Sequence, residues 1–383
     1  SFCYWRESRD GSKLMSIKFF ILISFFVFHA EADSLFTPNL NARARAMGGT
    51  SIAYTQGVDA LFYNAAALSK VEGYTLKIAD ANLGTSKNSQ RLVDQAFSST
   101  SPATAGGLQS LYGETFFAEA STQSGMVFPY FGFGAYSSNY VSETFNNPVF
   151  PTFNVDFLSE YGYLLAGAVP LGNNMSFGFT GRHMKRWSGK QDILVSDLLG
   201  TTDRDLIQSR LQDKGTGNAI DISFLATIPQ QNLNIAVVWK DVGNTAYTID
   251  TGNGPERQDD NLSFGVSKIA KYSFFDMTYA FEYDHIRQAN ENISKKLHIG
   301  AEMSLGLIDL RAGLSQGNLT YGAGVDLWLI NIEAAAYSDE LGSSVGQNRS
   351  DRYQASISIT LDFDQAFKLK NQMGKKRRLL QRR

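Results

Sequence analysis

The sequence predicts an all-β fold: a transmembrane antiparallel β-barrel of about 14 strands with an N-terminal, partly helical plug. Three observations lead there. Apolar and polar residues alternate with a period of two along most of the chain. Short connections alternate with long ones. An export-signal pattern opens the sequence, yet no later apolar run is long enough for a membrane-spanning helix.

The alternation is clearest near the C-terminus. Tyr353, Ala355, Ile357, Ile359, Leu361 and Phe363 share one face, and Gln354, Ser356, Ser358, Thr360 and Asp362 share the other. Leu297, Ile299, Ala301, Met303 and Leu305 oppose His298, Gly300, Glu302 and Ser304. Phe275, Met277, Tyr279, Phe281 and Tyr283 oppose Asp276, Thr278, Ala280, Glu282 and Asp284. A water-soluble sandwich shows the same alternation with the apolar face turned inward, so pattern alone leaves both architectures open.

Strands are expected at 74–82, 114–122, 129–141, 154–168, 174–187, 218–228, 232–241, 260–268, 272–285, 295–304, 307–315, 319–327, 330–338 and 352–363. Long connections fall at 83–113, 142–153, 188–217, 242–259, 286–294 and 339–351. Short ones fall near Gln123–Gly125, Gly172–Asn173, Pro229–Gln231 and Gly306. Outer-membrane barrels have short periplasmic turns and longer external loops, so both termini are expected in the periplasm. The short turn Gln316-Gly317-Asn318 departs from that rule. Residues 89–97 and 203–213, within the long loops, read as short amphipathic helices.

Residues 15–32 carry a Lys18 n-region, an apolar run from Phe19 to Phe28 and Ala30-Glu31-Ala32, the three parts of a signal peptide. Residues 1–14 read as an upstream extension outside the native structure. The single cysteine, Cys3, precedes the expected cleavage site, so an exported chain here carries no disulfide. The remaining divisions are a plug at 33–71, a barrel at 72–363 and a basic tail at 364–383. The composition, 43% hydrophobic and 13% aromatic with 34 Gly, excludes disorder and suits aromatic girdles with tight turns. Residues 33–363 carry a net charge of −10 and the tail +7, which marks the tail as an interaction or solvated segment. In the periplasm its partner would be acidic protein or anionic lipid, not nucleic acid.

Residues 39–71 do not alternate. They are Ala-rich, broken by Gly48-Gly49, and fit a compact element inside a barrel lumen, where Arg43 and Arg45 can meet lumen carboxylates. The run Ala44-Arg45-Ala46-Met47-Gly48-Gly49, then Asp59-Ala60 and Asn64-Ala65-Ala66-Ala67-Leu68, resembles the N-terminal plug of FadL-type outer-membrane transporters and their PorV-like relatives. That plug commonly ends in Asn-Pro-Ala, and here the Pro is replaced by Ala65. Leu297-His298-Ile299-Gly300-Ala301-Glu302, Leu310-Arg311-Ala312-Gly313 and Tyr337-Ser338-Asp339-Glu340-Leu341-Gly342 look like the PorV-like branch.

The resemblance implies a plugged fourteen-stranded barrel in the bacterial outer membrane. One implied function is passage of small hydrophobic molecules such as long-chain fatty acids. The alternative is a non-conducting barrel that scaffolds an outer-membrane or secreted protein partner through loops 83–113 and 188–217. Arg43, Arg45, Gly48, Gly49, Asp59 and Asn64 are the expected plug and gating residues. Arg182, Asp221, Asp276, Glu282, Glu302, Asp309, Arg311 and Asp326 are the expected lumen charges, either hydrated or holding the plug.

Catalysis is not expected. No nucleophile elbow or phosphate loop occurs, and His183, His285 and His298 lack metal-ligand spacing, so no cofactor or metal is implied. Gly132 and Gly134, in an aromatic strand, read as packing positions.

Overall fold

The computed structural model describes residues 40–89, 112–146, 152–194 and 212–365. The expected extension at 1–14, signal peptide at 15–32, first residues of the plug, most of both loop helices, and the tail beyond Gln365 lie outside these.

Among the described residues, fifteen strands form one antiparallel sheet that closes on itself. They are β1 Tyr74–Ser86, β2 Thr115–Phe128, β3 Phe131–Asn146, β4 Thr152–Pro170, β5 Met175–Leu194, β6 Lys214–Ile228, β7 Leu233–Lys240 and β8 Tyr247–Thr251. The remainder are β9 Asn261–Lys271, β10 Asp276–Tyr283, β11 Leu297–Ser304, β12 Ile308–Ser315, β13 Asn318–Leu327, β14 Ile330–Glu340 and β15 Arg349–Phe363. Fourteen make the ring. The fifteenth, β8, pairs only with the upper part of β6 and lies in an excursion between β7 and β9. The ring closes where Tyr74 meets Phe363, so the chain enters and leaves the barrel at one end, termed here the terminal end. The opposite end is the loop end.

Burial decides between barrel and sandwich. On β15 the apolar residues Tyr353, Ile357 and Ile359 are 45%, 48% and 37% exposed, whereas Gln354, Ser356 and Ser358 are 2%, 6% and 8% exposed. A soluble protein buries the other face. Here the apolar face points away from the protein and the polar face lines the interior, the arrangement a hydrocarbon surrounding requires. Stacked aromatic pairs mark the terminal end of the apolar surface. Phe128 stacks on Phe131 at 4.6 Å, and Tyr272 on Phe275 at 4.8 Å, both at the terminal end.

The connections correct several expectations. No turn occurs at Gln123–Gly125: β2 continues to Phe128, and the chain reverses at Pro129–Tyr130, where Tyr130 takes a φ of 70°. Alternation runs through Gln123, so Ser124-Gly125 reads as a turn only by composition. The connections expected at 83–113 and 188–217 are shorter, because β1 runs on to Ser86, β5 to Leu194, and β6 starts at Lys214. Those at 142–153 and 339–351 shrink likewise, while β10 starts four residues later than expected and ends at Tyr283. The short turn at Gln316-Gly317 is present, with φ values of 51° and 74° at the two residues.

The plug follows its composition. Helix α1 (Ala42–Ala46) is capped by Asn41, whose Oδ1 accepts the Ala44 N–H at 2.9 Å, and ends at Gly48 and Gly49, both with positive φ. Helix α2 (Ala60–Tyr63) leads into a 3-10 segment, Ala65–Lys70, capped by Asn64. The small Ala side chains let these short helices lie close to the wall. Leu61 packs against Gly132 and Gly134 of β3, as packing positions in that strand require. Gly178 of β5 carries no side chain where one would collide with the backbone of Ala65 and Ala66.

The inverted surface makes a direct prediction. Ile357→Lys, at the middle of the lipid face, costs about 2–4 kcal/mol. Ser358→Ala, on the lumen face, stays within about 0.5 kcal/mol. Equilibrium urea unfolding in phospholipid vesicles measures both, and equal costs would refute the assignment of faces.

Candidate functional site

The site is the contact between plug and wall, with the cavities on either side of it. The plug has little regular structure, so its backbone groups need partners. Side chains of the lumen face supply them. Glu282 accepts the N–H groups of Ser51 and Ile52 at 2.7 and 3.2 Å. The Thr320 hydroxyl accepts from Gly48 N–H and donates to the Ala46 carbonyl, both at 3.0 Å. Ser223 accepts from Ala66 N–H, and Ser176 donates to the Ala66 carbonyl. Ser267 donates to the Ala53 carbonyl, and Gln354 to that of Leu40. His298 Nδ1 lies 2.7 Å from the Gly48 carbonyl, a bond in which the nitrogen must carry the proton.

Ion pairs add a second set of ties. Arg43 grips Glu302 with two bonds of 2.8 Å, and Glu302 also accepts from Arg311 at 2.7 Å. Arg311 reaches Asp309 at 3.0 Å and Glu333 at 2.9 Å. The Arg43 guanidinium lies over the Tyr54 ring at 4.9 Å. Burial alone would lower the Arg43 pKa, but Glu302, Tyr54 and Glu333 together outweigh it and raise it. Asp59 pairs with Lys77 of β1, which also meets Asp80 at 2.8 Å.

The structure therefore brings together Arg43, Glu302, Asp309 and Arg311. Asp326, 2% exposed, lies beside this group on β13 and lines one cavity with Glu333. Arg45 is buried over the Tyr337 ring at 4.9 Å, away from Glu302. Gly48 sits pressed against the backbone of Ile299 and Leu314, and Gly49 against the His298 ring. Asn64 is buried inside the plug, where its side-chain amide donates to the Ile52 carbonyl at 2.8 Å. Arg182 forms a separate group, pairing with Asp221 and Asp241 at 2.9 Å each. Asp276 stands apart at the terminal end, opposite Lys271.

Several participants escape a period-two reading. Lys77 and Asp80 both face inward because β1 bulges between them, switching the inward set from odd to even residues and leaving Ile78 51% exposed. Asp241 lies beyond the end of β7 with a φ of 52°. Glu160 and Arg186 pair at 2.6 Å on β4 and β5, and alternation within those strands would have found them. Among the described residues, no group of His, Cys, Asp and Glu is arranged to hold a metal ion.

Three cavities lined by the described residues flank the plug. One of about 120 Å³ lies on its loop-end side, over Leu61, Phe62 and Tyr63, and is lined by Glu160, Arg182, Arg186 and Asp241. One of about 110 Å³, at Arg43 and Asp59, is bordered by Asp80, Asp326 and Glu333. The largest, about 570 Å³, opens below Gln56, Ser69 and Lys70 among the terminal-end turns.

A closed ring of strands with an apolar outer surface and a plug bonded into a polar lumen defines a plugged transmembrane β-barrel of the outer-membrane type. Solved structures share its fold. The CymD monoaromatic hydrocarbon channel superposes with a TM-score of 0.52 at 11% identity, covering 85% of this chain and 98% of that one. The Ralstonia pickettii toluene transporter TbuX superposes at 0.51 with 12% identity, covering 84% and 97%. A deletion mutant of the TodX monoaromatic hydrocarbon channel gives 0.51 and 12%, covering 84% and 98%. At these identities the likeness is one of fold. No protein-family model matches the sequence, and no curated protein sequence is similar to it.

The buried hub is the tie whose loss is predicted to matter most. Glu302→Gln removes the charge facing two guanidinium groups and costs about 3–5 kcal/mol, the range for breaking a buried pair by removing one partner. Combining it with Arg43→Met recovers part of that loss. Thermal unfolding of the single and double variants in detergent checks both, and additive losses would show that Arg43 and Glu302 act independently.

Proposed function

We propose that this barrel is an outer-membrane channel that admits small hydrophobic molecules, with its terminal end in the periplasm. Monoaromatic hydrocarbons and long-chain fatty acids are its candidate solutes. One observation carries the reading. The loop-end cavity and the terminal-end cavity of about 570 Å³ are both bordered by the same plug segment, residues 56–70. Leu61, Phe62 and Tyr63 face one cavity, and Gln56, Ser69 and Lys70 face the other. A shift of this short segment would join them without unfolding the barrel. Its ties to the wall include the Ser176 and Ser223 bonds to Ala66 and the Asp59–Lys77 pair, all polar contacts that water can replace.

A second reading rests on the wall. Every neighbouring pair of ring strands is hydrogen bonded, which suits a non-conducting barrel that scaffolds a protein partner.

A reversible lock separates the two. With Cys3 as the natural sequence's single cysteine, Ala66→Cys with Ser223→Cys places one new thiol pair between plug and wall. Cells producing the reduced double variant should take up radiolabelled toluene or oleate faster than cells lacking the protein, and oxidation should abolish the difference. Uptake unchanged by oxidation would exclude passage by plug displacement. No uptake above background in wild type, together with a stoichiometric co-purifying protein, would favour the scaffold.

A further inference from the structure

The three cavities differ in charge. Carboxylates border the two smaller ones: Glu160 and Asp241 in one, Asp80 and Glu333 in the other. The terminal-end chamber has no acidic residue in its lining. Its inner side carries Lys70, whose ammonium donates to Asn234 Oδ1 at 2.8 Å. That Asn234 oxygen also accepts from Thr227, and the Asn234 amide donates to Ser267, so the acceptor beside the ammonium is held in place. An ammonium has three protons, and one is committed to Asn234. Two apolar side chains, Leu225 and Ile269, share the lining with the amide of Asn174.

We propose that this chamber is a binding site for a small amphipathic monocarboxylate, with its carboxylate on Lys70 and its apolar body against Leu225 and Ile269. A volume of about 570 Å³ lies within the range of small-molecule pockets, roughly 300–1,000 Å³. One inner cation matches one negative charge. The proposal stands whether or not the barrel conducts.

The Lys70 environment agrees. Burial pulls its ammonium down to about 8, with no carboxylate opposing the shift. A bound carboxylate would restore the charged form. The other titratable groups lining the chamber are Tyr130 and Lys271. Glu72 follows Lys70 by two residues, and Asp276 stands opposite Lys271 across the β9–β10 pair.

Equilibrium dialysis of the purified barrel in a non-ionic detergent against radiolabelled benzoate tests the site. Saturable binding near one per barrel is expected at pH 7, weakening as pH rises to 9.5. Lys70→Gln, which keeps a donor for Asn234, should weaken it at least tenfold. Ile269→Trp, which fills the chamber without altering charge, should weaken it as well. Both variants should keep the heat-modifiable gel mobility of a folded barrel. Absence of saturable binding to wild type, or equal binding by Lys70→Gln, would overturn the site. Competition by phosphate or chloride as effective as that by unlabelled benzoate would overturn the carboxylate assignment.

Discussion

The plug's unpaired backbone governs this structure. A segment with two short helices and several turns leaves many N–H and C=O groups without internal partners, and burying them bare would cost several kcal/mol in total. The lumen face answers with hydroxyls, amides and carboxylates at fitted positions. Ser223 and Ser176 serve single peptide groups, while Thr320 and Glu282 serve two each. The inward half of the alternation is therefore shaped by the plug as much as by water. The outward half is shaped by lipid.

Charge follows the same logic. Glu302, fully buried, faces two guanidinium groups, and Arg311 spreads across three carboxylates. Such a group gains little stability over an apolar filling, because desolvation offsets attraction. What it provides is position. A bidentate grip fixes both the height and the rotation of α1 in the lumen, whereas an apolar contact tolerates sliding. The Asp59–Lys77 pair fixes the second half of the plug in the same way.

The strands and their faces were legible because a period of two is imposed on each strand by its two surroundings. Ile357 and Ser358 could be assigned from neighbours alone. Reading failed where the period breaks. The β1 bulge hid Lys77 and Asp80, and the excursion after Lys240 hid Asp241 and β8. The Pro129–Tyr130 reversal was displaced by the Gly-Ser composition upstream. Arg43 was readable as a plug cation seeking a lumen acid, but Arg45 was not separable from it, since both lie in the same Ala-Arg repeat. Only the turn of α1 sends one to Glu302 and the other to Tyr337. The cavities arise from the packing of distant segments and leave no local signature.

Strand length varies sharply around the ring, and that has a consequence for approach. Strands β10, β11 and β12 have 8 residues each, whereas β4 and β5 have 19 and 20. At about 3.4 Å per residue and a tilt near 40°, eight residues rise only about 20 Å, close to the thickness of the apolar band. Twenty residues rise about 50 Å. On β5 the outward residues turn polar above Phe179, at His183 and Lys185, as the change of surroundings requires. The rim of the barrel wall is thus a ramp, lowest beside β10–β12 and highest at β4–β5, so the membrane surface meets a low sill on one side of the barrel and a backstop on the other.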